Sequence, residues 1–441
     1  MLAVILVFIL LSISVILIRY KGVLGWGMFF MLCGSVTDSA GILYFIDSFF
    51  PYYKIFIWLT TFSLMFYSIY LILFRIRKRV FIYWYFLPFS LSLLFVIGSK
   101  FVNNYSWAEI TTTFILSGIP FFFIWYVGRY YKGQNQLIVY LILFHCISAL
   151  IIIVGKSSLS EINGLSYIYR VDEDFQLYDF EKLINSKLYF FNFNKYEVQK
   201  FGQFHNSNAL GFFSIVSICV GIASYFRIGD FGRVNEHKII AIMILIISII
   251  LWFNSLTRGP LVFLFLVFAY IYTRPWKIRK NKVPFILFLL FGLVVIVTIE
   301  FNVLSFILPD KDNVSVTSRF VGYINGFNAI SNNPLWGQKF DGSPPHIYPL
   351  KIASYYGVPA GLLIFIPIVH LTYCTIRIFI KEISLKKINE STFAMMLLAT
   401  LLGVYITNGT VSNVLFGIIM AEILIRINLI KEDNQEKDSA F

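Results

Sequence analysis

The chain has 441 residues, of which 58% are hydrophobic and only 13% charged, and it carries a formal net charge of +13. Ordinary soluble domains hold about 25% charged residues, so this composition excludes a water-soluble globular fold and predicts an integral membrane protein. The apolar runs are about 16–25 residues long, which suits helices rather than barrel strands.

In chain order the runs fall near 1–18, 23–46, 55–74, 80–97, 108–128, 136–154, 208–226, 239–253, 260–273, 283–308, 356–379, 391–408 and 413–430. They predict an all-α, polytopic transmembrane bundle of about thirteen helices (12–14), built as a single integral membrane domain over 1–441. The first run lacks a basic start and a small-residue cleavage site, so it reads as a retained helix, not a cleaved signal. Cys33, Cys146, Cys219 and Cys374 all lie inside apolar runs and form no CxxC pair. That placement fits small core residues better than disulfides or metal ligands.

The connections alternate in basicity. "RYK" (19–21), "RIRKR" (75–79), "RYYK" (129–132), "RIGDFGRVNEHK" (227–238), "RPWKIRKNK" (274–282), "KEISLKK" (381–387) and the tail after 425 are basic. Short connections of the opposite parity hold little beyond Lys54, Lys100 and Arg258. The positive-inside rule assigns the basic set to the cytoplasm, with the C-terminus inside and the N-terminus outside. The positive excess is then explained by topology, and no nucleic-acid surface is expected.

Two long connections, about 155–207 and 309–354, fall outside by the same parity. Structureless loops beyond about 12–15 residues are uncommon unless functional, so partly helical caps over a membrane cavity are expected. In the first, Asp172-Glu173-Asp174 has the form of a metal-holding Asp-x-Asp, but a solvated turn is the simpler reading. No Walker loop, Rossmann glycine pattern or HExxH occurs, which disfavours an ATP-driven pump and a zinc protease. No metal and no cofactor are expected.

Several polar residues interrupt the apolar pattern on the outer side. Arg258 stands between two runs in "NSLTRGP" (254–260), followed by Gly259 and by Pro260, a residue suited to the first helical turn. A helix N-terminus beside a guanidinium favours an anion with a phosphate-like set of oxygens. An arginine anchored to lipid headgroups is the plainer alternative. Arg319 opens an amphipathic stretch in "SVTSRFVGYINGF" (315–327). His346 follows Pro344-Pro345 just before the chain re-enters the membrane, where an imidazole could take a hydroxyl proton near neutral pH. Taken alone it reads more simply as a surface histidine. In "FGQFHNSNALGFF" (201–213), Asn206 and Asn208 can cap the next helix or bind sugar hydroxyls, with His205 beside them. His145 and His370 sit inside apolar runs and read as packing residues. Asp38, Glu300 and Glu422 are few and near the ends of predicted spans, which counts against ion-coupled transport.

These pieces resemble, in order, the motifs of the O-antigen ligase and O-antigen polymerase superfamily. "NSNALG" (206–211) resembles its Asn-Pro-Asn-x-Leu-Gly element, with Ser207 in place of proline. "SLTRG" (255–259) resembles its Ser-x-Ser-Arg-Gly element, and "NPLWG" (333–337) its Asn-Pro-Leu-x-Gly element. His346 through Leu350 to Gly357 resembles its His-Asn-x-x-Leu…Gly element, with Ile347 in place of asparagine. The resemblance covers roughly residues 200–365. It implies a polysaccharide polymerase that moves an undecaprenyl diphosphate-linked glycan onto a lipid-linked repeat unit outside the cytoplasmic membrane.

By that resemblance Arg258 and Arg319 grip the diphosphate and His346 activates or aligns the acceptor hydroxyl. Asn206, Asn208, His205 and Lys339 join the two arginines as substrate-binding candidates. The implied partners are the undecaprenyl diphosphate-linked oligosaccharide, membrane lipid, a chain-length regulator and a flippase. Two alternatives stay open: a ligase that transfers finished glycan to lipid A-core and, from another class, a flippase that only moves the lipid-linked unit.

Overall fold

The computed structural model describes residues 9, 12–19, 25, 28, 66, 69–71, 73–74, 80–106, 136–159, 207–228, 237–255, 264, 267, 314–338, 345, 347–384, 390–407 and 413–439. Among these residues the regular structure is α-helical throughout, with no strand. The helices are α1 (Val80–Val102), α2 (Gln136–Leu159), α3 (Ser207–Tyr225), α4 (His237–Ser255), α5 (Val314–Asn332), α6 (Tyr348–Tyr356), α7 (Val358–Ser384), α8 (Glu390–Thr407) and α9 (Asn413–Ser439). Residues 1–67, 132–258 and 412–415 form one compact unit, and residues 68–131, 259–411 and 416–441 form another.

Among the described helices of the first unit, α3 is the most deeply buried. Every side chain from Leu210 to Val220 is buried, as expected of a segment that is apolar on all sides. Its small residues let α4 come close. A Cβ on Gly221 would lie 2.8 Å from the Leu245 side chain, the kind of approach that small residues permit between helices in lipid. Ser214 and Ser217 keep their hydroxyls within the helix, each donating at 2.7 Å to the carbonyl four residues back. On the other side, α2 sets Cys146 Sγ 3.6 Å from Ser248 Oγ of α4. The His145 ring of α2 stands 6.2 Å from the Phe213 ring of α3.

The second unit is organised on α1 and α7, which run antiparallel. Tyr85 O–H donates to His370 Nδ1 at 2.8 Å, and Ser92 Oγ donates to the Ala360 carbonyl at 2.9 Å, so one number falls as the other rises. The segments Trp84–Val102 and Val358–Lys381 of these helices are long and apolar enough to cross a membrane. Each also leaves an apolar stripe exposed: Trp84, Leu87, Leu91 and Leu94 on α1, and Leu362, Ile366, Val369 and Tyr373 on α7.

A charged cluster ties α8 to α9. The Arg426 guanidinium is fully buried. Its Nε donates to Glu422 Oε1 at 2.7 Å and its Nη1 to Glu390 Oε2 at 2.7 Å, while the group lies 5.6 Å from the Phe393 ring centroid. Near its start, α9 sets Phe416 edge-on to Phe89 of α1, with ring centroids 6.4 Å apart. The helix then continues to Ser439, past the apolar run that ends near 430. The polar stretch "KEDNQEKDS" sustains it because lysine, glutamate and glutamine are good helix formers.

Candidate functional site

The second unit contains a knot where three segments distant in sequence meet at one end of α1. The first is the turn that follows α5. Asn333 Oδ1 accepts from the Trp336 N–H at 3.3 Å, and the Gly337 N–H donates to the Asn333 carbonyl at 2.8 Å. Asparagine and proline at the head of such a turn satisfy the backbone locally and fix its bend. Gly337 has φ 61°, a left-handed conformation that glycine adopts without steric cost.

The second segment is the junction between α6 and α7. Its Val358 N–H donates to the Pro334 carbonyl at 2.8 Å, and the Gln338 N–H donates to the Ser354 carbonyl at 3.1 Å. Gly357 has φ 95°, and a Cβ there would fall 1.9 Å from the Leu335 carbonyl oxygen. A Cβ on Gly337 would in turn meet the Tyr355 carbonyl carbon at 2.5 Å. Both glycines are therefore required by close backbone approach, and they face each other's segments.

The C-terminal end of α1 is the third segment. Ser99 Oγ donates to the Trp336 carbonyl at 2.5 Å and lies 3.2 Å from the Tyr355 carbonyl. Asn103 Nδ2 reaches the Trp336 and Gly337 carbonyls at 3.4 and 3.5 Å. The Trp336 ring packs on Phe95, with centroids 6.0 Å apart. It also fills the space above Gly98, where a Cβ would lie 2.7 Å from the ring.

Further contacts brace the knot from α5 and α9. Pro345 is buried, and a Cβ on Gly326 of α5 would meet its Cγ at 2.4 Å. Arg319 lies seven positions before Gly326 on α5, about 10 Å along the helix axis. Tyr348, the first residue of α6, is buried with its ring 6.2 Å from Phe416 of α9. Lys351 on α6 is partly buried, and that burial lowers its ammonium pKa.

The sequence-derived candidates distribute as follows. Arg319 is in α5 and Asn208 is in the first turn of α3, each described by helix position alone. Arg258, His205, Asn206, Lys339 and His346 lie outside the described residues, as do Cys33, Asp38 and the Asp172–Asp174 stretch. Residues on both sides of 339–346 are held in place: Gln338 by Ser354 and Ile347 at the start of α6, where its carbonyl accepts from the Lys351 N–H at 2.9 Å.

Of the two histidines that sit inside apolar runs, His145 is buried and bonded through Nδ1 to the Leu141 carbonyl at 2.8 Å. His370 accepts from Tyr85. Sequence reading singled out neither Ser99 nor Asn103, because their partners lie more than 230 positions away. It names Glu422 only as one of the few charges near span ends, although Arg426 four residues later carries the signal of an i,i+4 pair. Neither the known protein families nor the curated proteins give a match to the chain.

Proposed function

We propose that the chain is a multi-pass glycosyltransferase of the bacterial cytoplasmic membrane, a polysaccharide polymerase with its active site facing outward. In this reading about thirteen helices span the bilayer, a number set by the apolar runs and the length needed to cross hydrocarbon. The substrate is a glycan carried on undecaprenyl diphosphate. A hydroxyl of the lipid-linked repeat unit attacks the anomeric carbon, the new glycosidic bond forms, and the bond to the lipid diphosphate breaks. His346 takes or orients the hydroxyl proton. Arg258 and Arg319 neutralise the charge that develops on the departing diphosphate.

The observation that carries this reading is the knot. "NPLWG" (333–337) and the segment from His346 to Gly357 were matched to separate motifs of one superfamily. Pro334–Val358 and Gln338–Ser354 hydrogen bonds join their described parts, and the two glycines that end them, Gly337 and Gly357, leave no room for a side chain. Motifs that resembled a family only by order thus have a shared physical reason for their residue types.

Sidedness supports the outward assignment. Antiparallel α1 and α7 bring Val80 and Ser384 to one end, next in sequence to "RIRKR" and "KEISLKK", while the knot is at the other end of α1. Basic flanks at the first end suit the cytoplasmic face. The exposed apolar stripes of α1 and α7 suit contact with lipid.

The test is chain growth by the full-length protein given a lipid-linked repeat unit in vesicles. Arg258→Ala and Arg319→Ala are each expected to lower polymer formation by about 10²-fold or more, while repeat units still appear on the outer face. Normal chain lengths in both variants would overturn the enzyme reading. Repeat units failing to appear outside would favour a flippase, and polymer made only when lipid A-core is supplied would favour a ligase.

A further inference from the structure

We propose that Lys351, on α6, is a further binding residue for the diphosphate of the lipid-linked substrate. The inference rests on the polymerase reading and deepens it, because Lys351 is not among the motif residues to which the resemblance gives a role.

The packing of α6 sets the depth of this lysine. α6 folds back along the first turn of α7: a Cβ on Gly361 would lie 2.8 Å from the Pro349 carbonyl oxygen and 2.7 Å from the Ala353 side chain. Ala360, next to Gly361, accepts from Ser92 at 2.9 Å, and the Tyr355 carbonyl meets Ser99 Oγ at 3.2 Å. Ser92 and Ser99 both belong to Trp84–Val102, the part of α1 that is long and apolar enough to cross a membrane. Lys351 is therefore held between the levels of Ser92 and Ser99, short of the end of that segment at Val102. A charge at such a level is costly without a partner, and an ionisable residue kept there marks a site of function.

The lysine is placed to meet a ligand. At about 100° per residue, Pro349 and Ala353 share the face of α6 turned to α7. Lys351, two positions from each, is on the opposite face, with Tyr348 and Tyr355 one turn to either side. The bonds that Lys351 makes among the described residues run through its backbone: its N–H donates to the Ile347 carbonyl at 2.9 Å, and its carbonyl accepts from Ser354 Oγ at 2.9 Å. They fix the main chain and do not involve the ammonium. The residue is half-buried, so its head can still meet a molecule from outside the protein. A compact ammonium on a flexible stem suits phosphate oxygens, and the attraction grows where water is scarce. A lipid-linked diphosphate offers those oxygens close to the membrane surface; an ordinary phospholipid headgroup is the competing source.

The experiment titrates undecaprenyl diphosphate into the full-length protein in phosphatidylcholine nanodiscs and reads its affinity, together with kcat and KM for polymerisation of a lipid-linked repeat unit. Lys351→Gln is expected to weaken the affinity by about 10- to 100-fold, the worth of one hydrogen bond to a charged group. KM should rise by a similar factor with kcat little changed. Lys351→Arg keeps the charge and should retain most of the affinity, and the melting temperature of ligand-free Lys351→Gln should not fall. Wild-type affinity in Lys351→Gln would overturn the proposal; if that variant also loses stabilisation by added phosphatidylglycerol, the lysine is an anchor for phospholipid headgroups. Equal losses in both variants with a lowered melting temperature would mark a packing role and overturn it too. Should Lys351→Gln not fold, undecaprenyl diphosphate should protect Lys351 of the wild-type protein from an amine-reactive label, and equal labelling with and without it overturns the proposal. A wild-type protein that neither binds undecaprenyl diphosphate nor makes polymer removes the polymerase reading itself, whereas normal polymerisation with an indifferent Lys351 removes this inference alone.

Discussion

In the unit of α2, α3 and α4, the serines at 214, 217 and 248 return their hydroxyls to carbonyls of their own helices. In the unit built on α1 and α7, Tyr85, Ser92 and Ser99 reach across to another segment, and Arg426 joins α9 to α8. Both units consist of apolar helices. The first returns these three hydroxyls to its own helices and relies on shape, with Gly221 admitting α4 and the thiol of Cys146 making a long contact to Ser248. The second has local bonds too, from Thr372, Thr375 and Thr400, and adds directed bonds that specify which groups must meet. The difference teaches where position matters most, because the candidate site lies among the directed bonds.

The sharpest way to break the comparison is to remove Arg426. Arg426→Ala leaves two carboxylates without their guanidinium, and breaking a buried pair in this way costs about 3–5 kcal/mol. Denaturant unfolding in detergent should show a loss of that size. Combining Glu390→Leu, Glu422→Leu and Arg426→Met should recover most of it, since no uncompensated charge then stays buried. A triple variant as unstable as the single one would mean that the cluster does not act through charge.

A glycine pair gives the next effect. Gly357→Ala forces a side chain into a left-handed conformation and against the fixed Leu335 carbonyl, for about 3 kcal/mol. Gly221→Ala meets side-chain atoms of Leu245 and Ile244 and no backbone, groups that can shift, for about 1 kcal/mol. Melting temperatures should fall in that order, and the reverse order would say that the knot yields more easily than the helix pair.

The smallest contrast lies in the serines. Ser92→Ala removes a bond between helices and should cost about 0.6–1 kcal/mol, whereas Ser214→Ala should cost less than about 0.5 kcal/mol. Equal losses would erase the distinction between local and directed hydroxyls.

Much of the helical layout was readable from apolar runs. α3 matches the run at 208–226 and α8 the run at 391–408 to within a residue, because nothing inside those runs interrupts the pattern. The break at Gly357 was not readable. Gly-Val-Pro looks like the start of a span, and only the Leu335 carbonyl shows why α6 must end there. α5 begins at Val314, several residues before the amphipathic pattern that starts at Arg319, since its first turn carries small polar residues with no periodic signal. In the site, the resemblance of 333–337 and 346–357 to two family motifs pointed to these segments. Their bonds to Ser99 and Asn103 were invisible, because a serine in a hydrophobic helix and an asparagine just past its end carry no mark of the carbonyls they will meet.

The Ser99–Tyr355 contact spans 256 positions, and that separation sets a schedule for biogenesis. At roughly 5–20 residues per second, α1 leaves the ribosome tens of seconds before its acceptors exist. Throughout that interval its polar end must be sheltered by insertion machinery, water or a temporary partner. Arrival of the later helices completes these bonds and retires the chaperoning, so the knot is finished among the last steps of assembly.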